Sequence, residues 1–299
     1  MKGDAVRENP TILRIRLGAE LRELRDRLGL SLDAASKALT AGDHDISVSK
    51  LSRLENGKGA IRLHDIRCLL DLYKVGSDAQ RDLLLRMARE AKAAAPAAWW
   101  TDYESVLPSG LSTYVGLEAG AGRLLTFTLT LIEGLLQTED YARALIQAWL
   151  PTDPPETIER LVQLRMQRQN VLITDPKLEL ITVMDEAALR RPIGGGTTMR
   201  SQLHHVLDVC EKLPNVSVQV IPLSKGAYGP QHGMFTLIEP RDPADKSVAY
   251  VDSMGGNLYM QRPDQISRFR TMFGRLQAMA LDPHESLNVI RTAAEETRP

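Results

Sequence analysis

The chain has 299 residues, 43% of them hydrophobic, and a net charge of −1 with histidine neutral. This length and apolar content exceed the needs of one small helical domain, so two domains are expected. No apolar run approaches the roughly 18 to 20 residues that span a bilayer, and the charged N-terminus lacks a hydrophobic signal core, so we expect a cytoplasmic protein without membrane contact.

The near-zero net charge conceals an asymmetry between the two parts of the chain. Residues 1–95 carry 18 Lys and Arg against 14 Asp and Glu, a net charge of +4. The other 204 residues carry 19 against 24, a net charge of −5. The N-terminal part therefore has the charge that favours nucleic-acid binding.

Five amphipathic helices are predicted in the first third of the chain. The first runs from Ile12 to Leu28 on a leucine stripe and ends at Gly29, and the second is capped by Ser31. The third lies between Ser47 and Gly57, and the last two cover Ile61–Tyr73 and Asp78 to about Lys92.

The third helix, in the segment Ser47–Gly57 (SVSKLSRLENG), has the pattern of a helix that reads DNA. Ser47 can cap its start, and Gly57 can end it in a left-handed conformation. Leu51 and Leu54 point into a core. The other face carries small polar groups and an arginine at i, i+3, i+4 and i+7, namely Ser49, Ser52, Arg53 and Asn56. Such a face suits close approach to base edges and phosphates, although an ordinary solvated helix face has the same pattern.

The combination of LRELRDRLGLSL, SKLSRLENG and a following helix resembles the Cro/repressor-like helix-turn-helix family, often called Xre-type. The resemblance covers about residues 1–95 and implies that the third helix enters the major groove of double-stranded DNA. Members of that family commonly pair the glutamate of this helix with an arginine of the first helix, here Glu55 and Arg25. The segment Thr40–Ile46 is longer than the tight turn usual in the family.

Candidate DNA contacts follow from this resemblance and from side-chain chemistry. We assign base reading to Ser49, Ser52 and Arg53, and a thymine methyl contact to Val48. Ser47, at the start of the helix, completes this set, and the phosphate contacts are assigned to Lys37, Lys50 and Lys58. Because one helix reads few base pairs, specificity normally needs two half-sites ~34 Å apart, which predicts a homodimer.

The predicted domain boundary follows an alanine-rich helix that Pro96 stops, so the domains are residues 1–95 and 96–299. Met1–Pro10 is predicted to be a disordered polar arm. Trp99 and Trp100 are expected to anchor the linker against the second domain.

The second domain mixes strands and helices without strict βαβ alternation, which predicts an α+β fold behind the all-α domain. Predicted strands are Arg123–Ile132, Leu178–Met184, Val216–Ile221, Met234–Ile238, Ser247–Asp252 and Asn257–Met260. Predicted helices are Thr138–Trp149, Glu156–Asn170, Asp185–Arg191, Thr198–Leu213, Asp264–Leu281 and one from Glu285.

Three stretches of this domain are similar to a C-terminal domain found behind Xre-type modules in actinobacterial regulators described as WhiJ-like or antitoxin-like. They read LEA at 117–119, EGLLQTEDYARA at 133–144 and MDEAALRR at 184–191. The resemblance implies a transcriptional regulator, often with a small partner protein, and no established catalysis.

Other chemical patterns are weak. His204, His205, Asp208 and Cys210 lack HExxH or CxxC spacing, so a helix surface is favoured over a metal site, and no metal or cofactor is expected. Cys68 and Cys210 are interpreted as buried reduced thiols. Gly194–Gly196 lacks the lysine of a phosphate-binding loop. Gly226–Gly233 either lines a pocket, serves as a mobile lid or is a plain long loop.

The sequence thus predicts a DNA-binding regulator, not an enzyme, associated with the nucleoid when bound to DNA. Its second domain would mediate dimerisation and respond to a partner protein or ligand. Two alternatives stay open: an antitoxin-like protein that sequesters a small partner, and a small-molecule sensor.

Overall fold

The computed structural model describes residues 9–42, 44–95, 98–108, 110–229, 233–243, 245–253 and 257–298. The chain divides into two compact units, Met1–Asp102 and Tyr103–Pro299, called here the N-terminal and C-terminal units. Most of the predicted arm, Met1–Glu8, and the predicted stop at Pro96 lie outside the described residues.

Five α-helices form the described part of the N-terminal unit, which confirms the predicted all-α fold. They are α1 (Pro10–Arg27), α2 (Leu32–Ala41), α3 (Val48–Glu55), α4 (Leu63–Leu72) and α5 (Asp78–Ala94), and a 3₁₀ helix at Trp99–Tyr103 follows. Helix α1 packs against α3 and α5, and α4 packs against α2 and α5. Most leucines that the periodicity placed inside are buried, among them Leu17, Leu21, Leu51 and Leu69. Leu28, predicted on the same stripe as Leu17 and Leu21, is 43% exposed, because α1 ends at Arg27 and Leu28 is its C-cap.

The ends of α3 are fixed by the residues that the sequence singles out. Ser47 Oγ accepts from the Lys50 amide at 3.2 Å. At the other end Gly57 has φ +68°, and the amides of Gly57 and Lys58 donate to the carbonyls of Leu54 and Arg53. These two bonds satisfy carbonyls that a helix end otherwise leaves unpaired.

A glycine allows α1 and α3 to cross at close range. A Cβ at Gly18 would lie 2.6 Å from the Leu54 carbonyl oxygen and 2.7 Å from that of Glu55. Any side chain there would push the C-terminal end of α3 away from α1, so this contact fixes how deeply α3 is seated.

The C-terminal unit is an α+β fold with a six-stranded mixed sheet, as predicted. Its strands are β1 (Ala121–Thr128), β2 (Glu179–Asp185), β3 (Val216–Ile221), β4 (Phe235–Pro240), β5 (Val248–Val251) and β6 (Leu258–Met260). Its helices are α6 (Leu111–Gly120), α7 (Glu139–Trp149), α8 (Pro155–Arg168), α9 (Ala187–Arg190), α10 (Gly196–Lys212), α11 (Pro263–Met279) and α12 (Pro283–Glu296).

The strand order is β3-β2-β1-β4-β5-β6. Strands β1, β2 and β3 pair in parallel, and β4 joins the other edge of β1 to start an antiparallel meander. Helix α11 covers one face through an apolar cluster that includes Phe127, Phe235 and Phe273. The residue before Phe127 on β1, Thr126, faces the opposite way because side chains alternate along a strand.

Two elements differ from the sequence-based expectation. Strand β1 ends at Thr128, four residues before the predicted Ile132. The backbone of Ile132 is satisfied by side chains instead of a ladder: its amide donates to the Tyr141 hydroxyl, and its carbonyl accepts from Gln137. Helix α6 was not predicted, and its residues are buried on several sides rather than along one stripe.

Among the residues that the structure describes, no helix combines the length and the apolar character that crossing a bilayer requires.

Candidate nucleic-acid interface

The segment between α2 and α3 is shorter than the sequence suggested. Because α2 extends to Ala41, Thr40 and Ala41 are helical, and the connection covers only residues 42–47, of which Asp43 is outside the described residues. Ile46 is buried, and its carbonyl accepts from Ser36 Oγ at 2.8 Å. The amide of His44 donates to the Leu39 carbonyl at 3.0 Å. The start of α3 is therefore tied to α2 by buried contacts.

The predicted base-reading residues lie on the outer side of α3. Ser47, Val48, Ser49 and Arg53 are exposed, and Ser52 is half-buried. No ion pair or side-chain hydrogen bond joins Arg53 to another described residue. This surface can present an arginine, hydroxyls and one methyl-bearing side chain to a groove.

The three predicted phosphate contacts have different surroundings. Lys37 is exposed and pairs with Asp33 one turn earlier on α2. Lys50 is only partly exposed, and its Nζ lies 2.8 Å from Oδ2 of the buried Asp65. Burial lowers the pKa of Lys58. Lys50 thus has a structural partner that the sequence pattern did not indicate.

Arg25 and Glu55 form a buried, two-pronged ion pair between α1 and α3. Arg25 Nε donates to Glu55 Oε1 at 2.7 Å, and Nη2 donates to Oε2 at 2.8 Å. Arg25 Nη1 also donates to the Leu30 carbonyl at 2.6 Å. The hydrogen bond with Glu55 raises the pKa of Arg25, while burial acts in the opposite direction. Glu55, with 1% of its side chain exposed, faces inward toward Arg25.

A second arginine, which the sequence did not single out, extends this pair to the end of α3. Arg22 Nε lies 3.4 Å from Glu55 Oε2, and its Nη2 donates to Asn56 Oδ1 at 2.8 Å. Asn56 Nδ2 in turn donates to the Ser52 carbonyl at 2.7 Å. The spacing predicted Asn56 on the DNA-reading face, but its side chain instead hydrogen-bonds to Arg22 and Ser52 and links the end of α3 to α1. Arg22 lies one turn before Arg25 on α1, so the spacing of the two arginines could have indicated that both face α3.

The C-terminal unit contains a buried polar layer that sequence reasoning missed. Arg168 Nε and Nη2 donate to Glu118 Oε1 and Oε2 at 2.7 and 2.8 Å, and the guanidinium carbon lies 5.2 Å from the centroid of the Tyr114 ring. Burial alone would lower the pKa of Arg168, but the charge of Glu118 outweighs it and the net shift is upward. Burial raises the pKa of Glu133 nearby, and burial together with Arg168 lowers the pKa of Arg165 to about 10.

The weaker candidates lie on α10, just before it and in the loop 226–233. Asp208 pairs with Lys212 on the surface of α10, His204 is exposed, and burial raises the pKa of Cys210 to about 11. Gly194 and Gly195 have positive φ and lead into α10. In the loop 226–233, Gly229 borders a cavity of about 590 Å³ along α11, whereas residues 230–232 lie outside the described part.

Comparison with protein families agrees with this two-part organisation. A family model described as a helix-turn-helix domain matches residues 16–84. A second one, described as a domain of unknown function (DUF5753), matches residues 111–292, which is more than half of the chain. The chain belongs to the DUF5753 family.

The DUF5753 match runs from α6 to α12 and includes the whole sheet and the Arg168–Glu118 pair. The helix-turn-helix match includes both partners of the Arg25–Glu55 pair and all of α3, so the N-terminal unit is a DNA-binding domain of the kind found in regulators. No curated protein and no solved structure matches the chain.

Proposed function

We propose that the protein is a sequence-specific transcriptional regulator of the Xre type that binds double-stranded DNA as a homodimer. Its DUF5753 domain would supply the dimer contact and respond to a partner protein or a ligand. The observation that carries the proposal is the exposed row Val48, Ser49 and Arg53 on a helix whose seating is fixed by Arg25 and Glu55. Footprinting on the promoter region of its own gene would define the site.

Arg53→Ala should weaken binding to that site by about 1 to 3 kcal/mol and relax base preference at one position in each half-site, because a guanidinium can hydrogen-bond two acceptors of one guanine. Fluorescence anisotropy with the specific duplex and with single-base variants measures both effects. An equal loss on specific and random DNA would make Arg53 a phosphate contact.

The matched control for a phosphate contact is Lys37→Ala. Its ion pair with Asp33 is exposed and contributes little to stability, so the variant should fold normally. It should lower affinity for all sequences alike and reduce the salt dependence by about one released ion. Lys50 is also predicted to contact phosphate, but Lys50→Ala leaves the buried Asp65 without its cation, so a loss of binding would be mixed with a loss of stability.

The dimer contact is proposed to lie in the second domain. The fragment 1–95 has its own buried leucine core and should fold, sediment as a monomer and bind the specific site much more weakly than the full chain. Analytical ultracentrifugation of both proteins tests this. A dimeric fragment with full affinity would place the interface in the helical domain.

One observation favours the sensor alternative for the DUF5753 domain. The cavity along α11 is lined by apolar and cationic side chains, including Met272, Met279, Arg268 and Arg275. A ligand that bound there would raise the melting temperature of the protein. The antitoxin-like alternative is tested by purifying the protein from its native host and asking whether a small protein accompanies it in fixed stoichiometry.

A further inference from the structure

Three metal-ligating side chains meet in the N-terminal unit, although the sequence spacing indicated no metal site. His64 and Cys68 lie one turn apart on α4, and His44 comes from the segment that leads into α3. One possible ligand atom from each of the three lies within 4.8 Å of the other two. Cys68 Sγ is 3.5 Å from His64 Nε2, and the two imidazole rings pack edge to face with centroids 5.5 Å apart.

The separations between the ligand atoms of this cluster are compatible with a tetrahedral zinc site. Zinc bonds of ~2.3 Å to sulfur and ~2.0 Å to nitrogen place the two ligand atoms about 3.6 Å apart. Cys68 Sγ and His64 Nε2, at 3.5 Å, already have the separation of two ligands of one zinc ion. The ligand atom of His44 lies within 4.8 Å of the other two, and ligand atoms of a tetrahedral zinc ion lie ~3.3 to 3.6 Å apart, so a shift of at most about 1.5 Å completes a three-ligand set.

The surroundings decide which ligands are available. Cys68 is buried and His64 is exposed, so the cluster opens to solvent on one side, where water can take the fourth position. Asp65 points to Lys50 at 2.8 Å and is already paired. Two imidazoles and one thiolate suit a borderline-soft cation and not Mg²⁺ or Ca²⁺, which prefer oxygen ligands.

We propose that His44, His64 and Cys68 bind one Zn²⁺ ion per chain and thereby join the segment before α3 to α4. The His44 amide already donates to the Leu39 carbonyl, and the His44 ring lies close to Gly42, where an added Cβ would be 3.5 Å from His44 Cδ2. Coordination of one metal ion by His44 and by the α4 ligands adds a further link to these contacts. The consequence for DNA rests on the proposed function: a fixed start of α3 loses less conformational entropy when it docks in the groove.

Metal binding is tested on the full chain, stripped with a chelator and titrated with Co²⁺ as a coloured substitute for Zn²⁺. One equivalent should produce the visible bands of a tetrahedral ion and a thiolate-to-cobalt absorption in the near ultraviolet, and Zn²⁺ should displace both. His44→Ala and His64→Ala should each weaken binding by more than about tenfold, and Cys68→Ser should abolish the thiolate band. Because Cys68 is buried, its replacement can unfold the domain, so circular dichroism must show that each variant is folded. His44 lies outside any helix, so His44→Ala should fold and tests the site even if the Cys68 variant does not fold.

Matched controls come from α10, where His204→Ala and Cys210→Ser also remove an imidazole and a thiol and should leave the affinity for Co²⁺ and its absorption bands unchanged. Cobalt that binds with the same affinity in His44→Ala, a thiolate band that persists in Cys68→Ser, or no stoichiometric binding at all would overturn the site. Hydrogen exchange in residues 44–50 should slow when Zn²⁺ is added, and unchanged exchange would overturn the tie to α3. If no DNA sequence binds with or without Zn²⁺ while these results hold, the proposed function fails and the metal site stands.

Discussion

Replacing Glu55 with alanine is expected to lower the free energy of unfolding of the N-terminal unit by about 3 to 5 kcal/mol. The change leaves the Arg25 guanidinium buried with only the Leu30 carbonyl and the exposed Asp26 as acceptors. It also removes a partner of Arg22. Hydrogen exchange of the amides of α1 and α3 in the full chain reports this unit separately from the other. The matched control is Glu23→Ala, which breaks an exposed pair with Arg27 on the same helix and should cost less than about 0.5 kcal/mol.

The pairing itself is measured by a double-mutant cycle. Arg25→Met with Glu55→Leu fills the space with apolar groups of similar size and should recover much of the loss, since no buried charge is then left alone. Recovery should be incomplete because the Leu30 carbonyl loses its donor and Arg22 loses an acceptor. Additive losses would show that the two residues do not interact.

The same variants separate two effects of Glu55 on DNA binding. If the carboxylate merely repelled phosphate, Glu55→Ala would bind DNA more tightly. Its burial and its bonds to α1 predict weaker binding instead, because the angle of α3 is no longer fixed. Anisotropy titrations well below the melting temperature of the variant decide between the two.

The N-terminal unit was predictable because its local signals agree with its packing. Leucine spacing, the Ser31 and Ser47 caps and the glycines at 29 and 57 all specify the same helices, and both caps and both glycines are observed in that role. The close approach at Gly18 was not predictable, since a glycine inside a helix pattern does not show what lies opposite it.

The candidate interface was predictable in outline and not in its contacts. Periodicity gave the inward and outward faces of α3. It could not show that Lys50 faces Asp65 or that Asn56 faces Arg22, because these partners come from other helices at distances in sequence that no pattern encodes. The cluster of His44, His64 and Cys68 was missed for the same reason, since only one pair of its ligands is close in sequence.

The second unit illustrates where pattern reading stops. Its parallel strands were predicted from short runs rich in apolar residues, but the alternating pattern extended β1 too far, to Ile132. That pattern cannot show that the side chains of Tyr141 and Gln137 bind the backbone of Ile132 in place of a neighbouring strand. The buried row of Thr182, Thr126 and Thr236 across β2, β1 and β4 depends on strand register, which only the pairing reveals.

Arg168→Met is expected to destabilise the C-terminal unit by about 3 to 5 kcal/mol at neutral pH, because Glu118 is left buried without its cation. Glu118→Leu in the same chain should restore much of this loss. Urea unfolding, with hydrogen exchange of α6 and α8 as the local probe, measures both. Asp208→Ala, which breaks the exposed pair with Lys212, is the control and should cost less than about 0.5 kcal/mol.

The pH dependence of this loss distinguishes a charge effect from a packing effect. Burial raises the pKa of Glu133 above the ordinary value of 4.5, and the charge of Arg168 opposes that rise. A carboxyl whose folded pKa is raised adds stability below its unfolded pKa, and that stability is lost as the pH rises through the folded pKa. Removing Arg168 raises the folded pKa of Glu133 further, so the variant should lose more stability at about pH 8 than at about pH 5. Equal losses at the two pH values would mean that Arg168 contributes packing against Tyr114 alone and that its charge does not stabilise the buried layer.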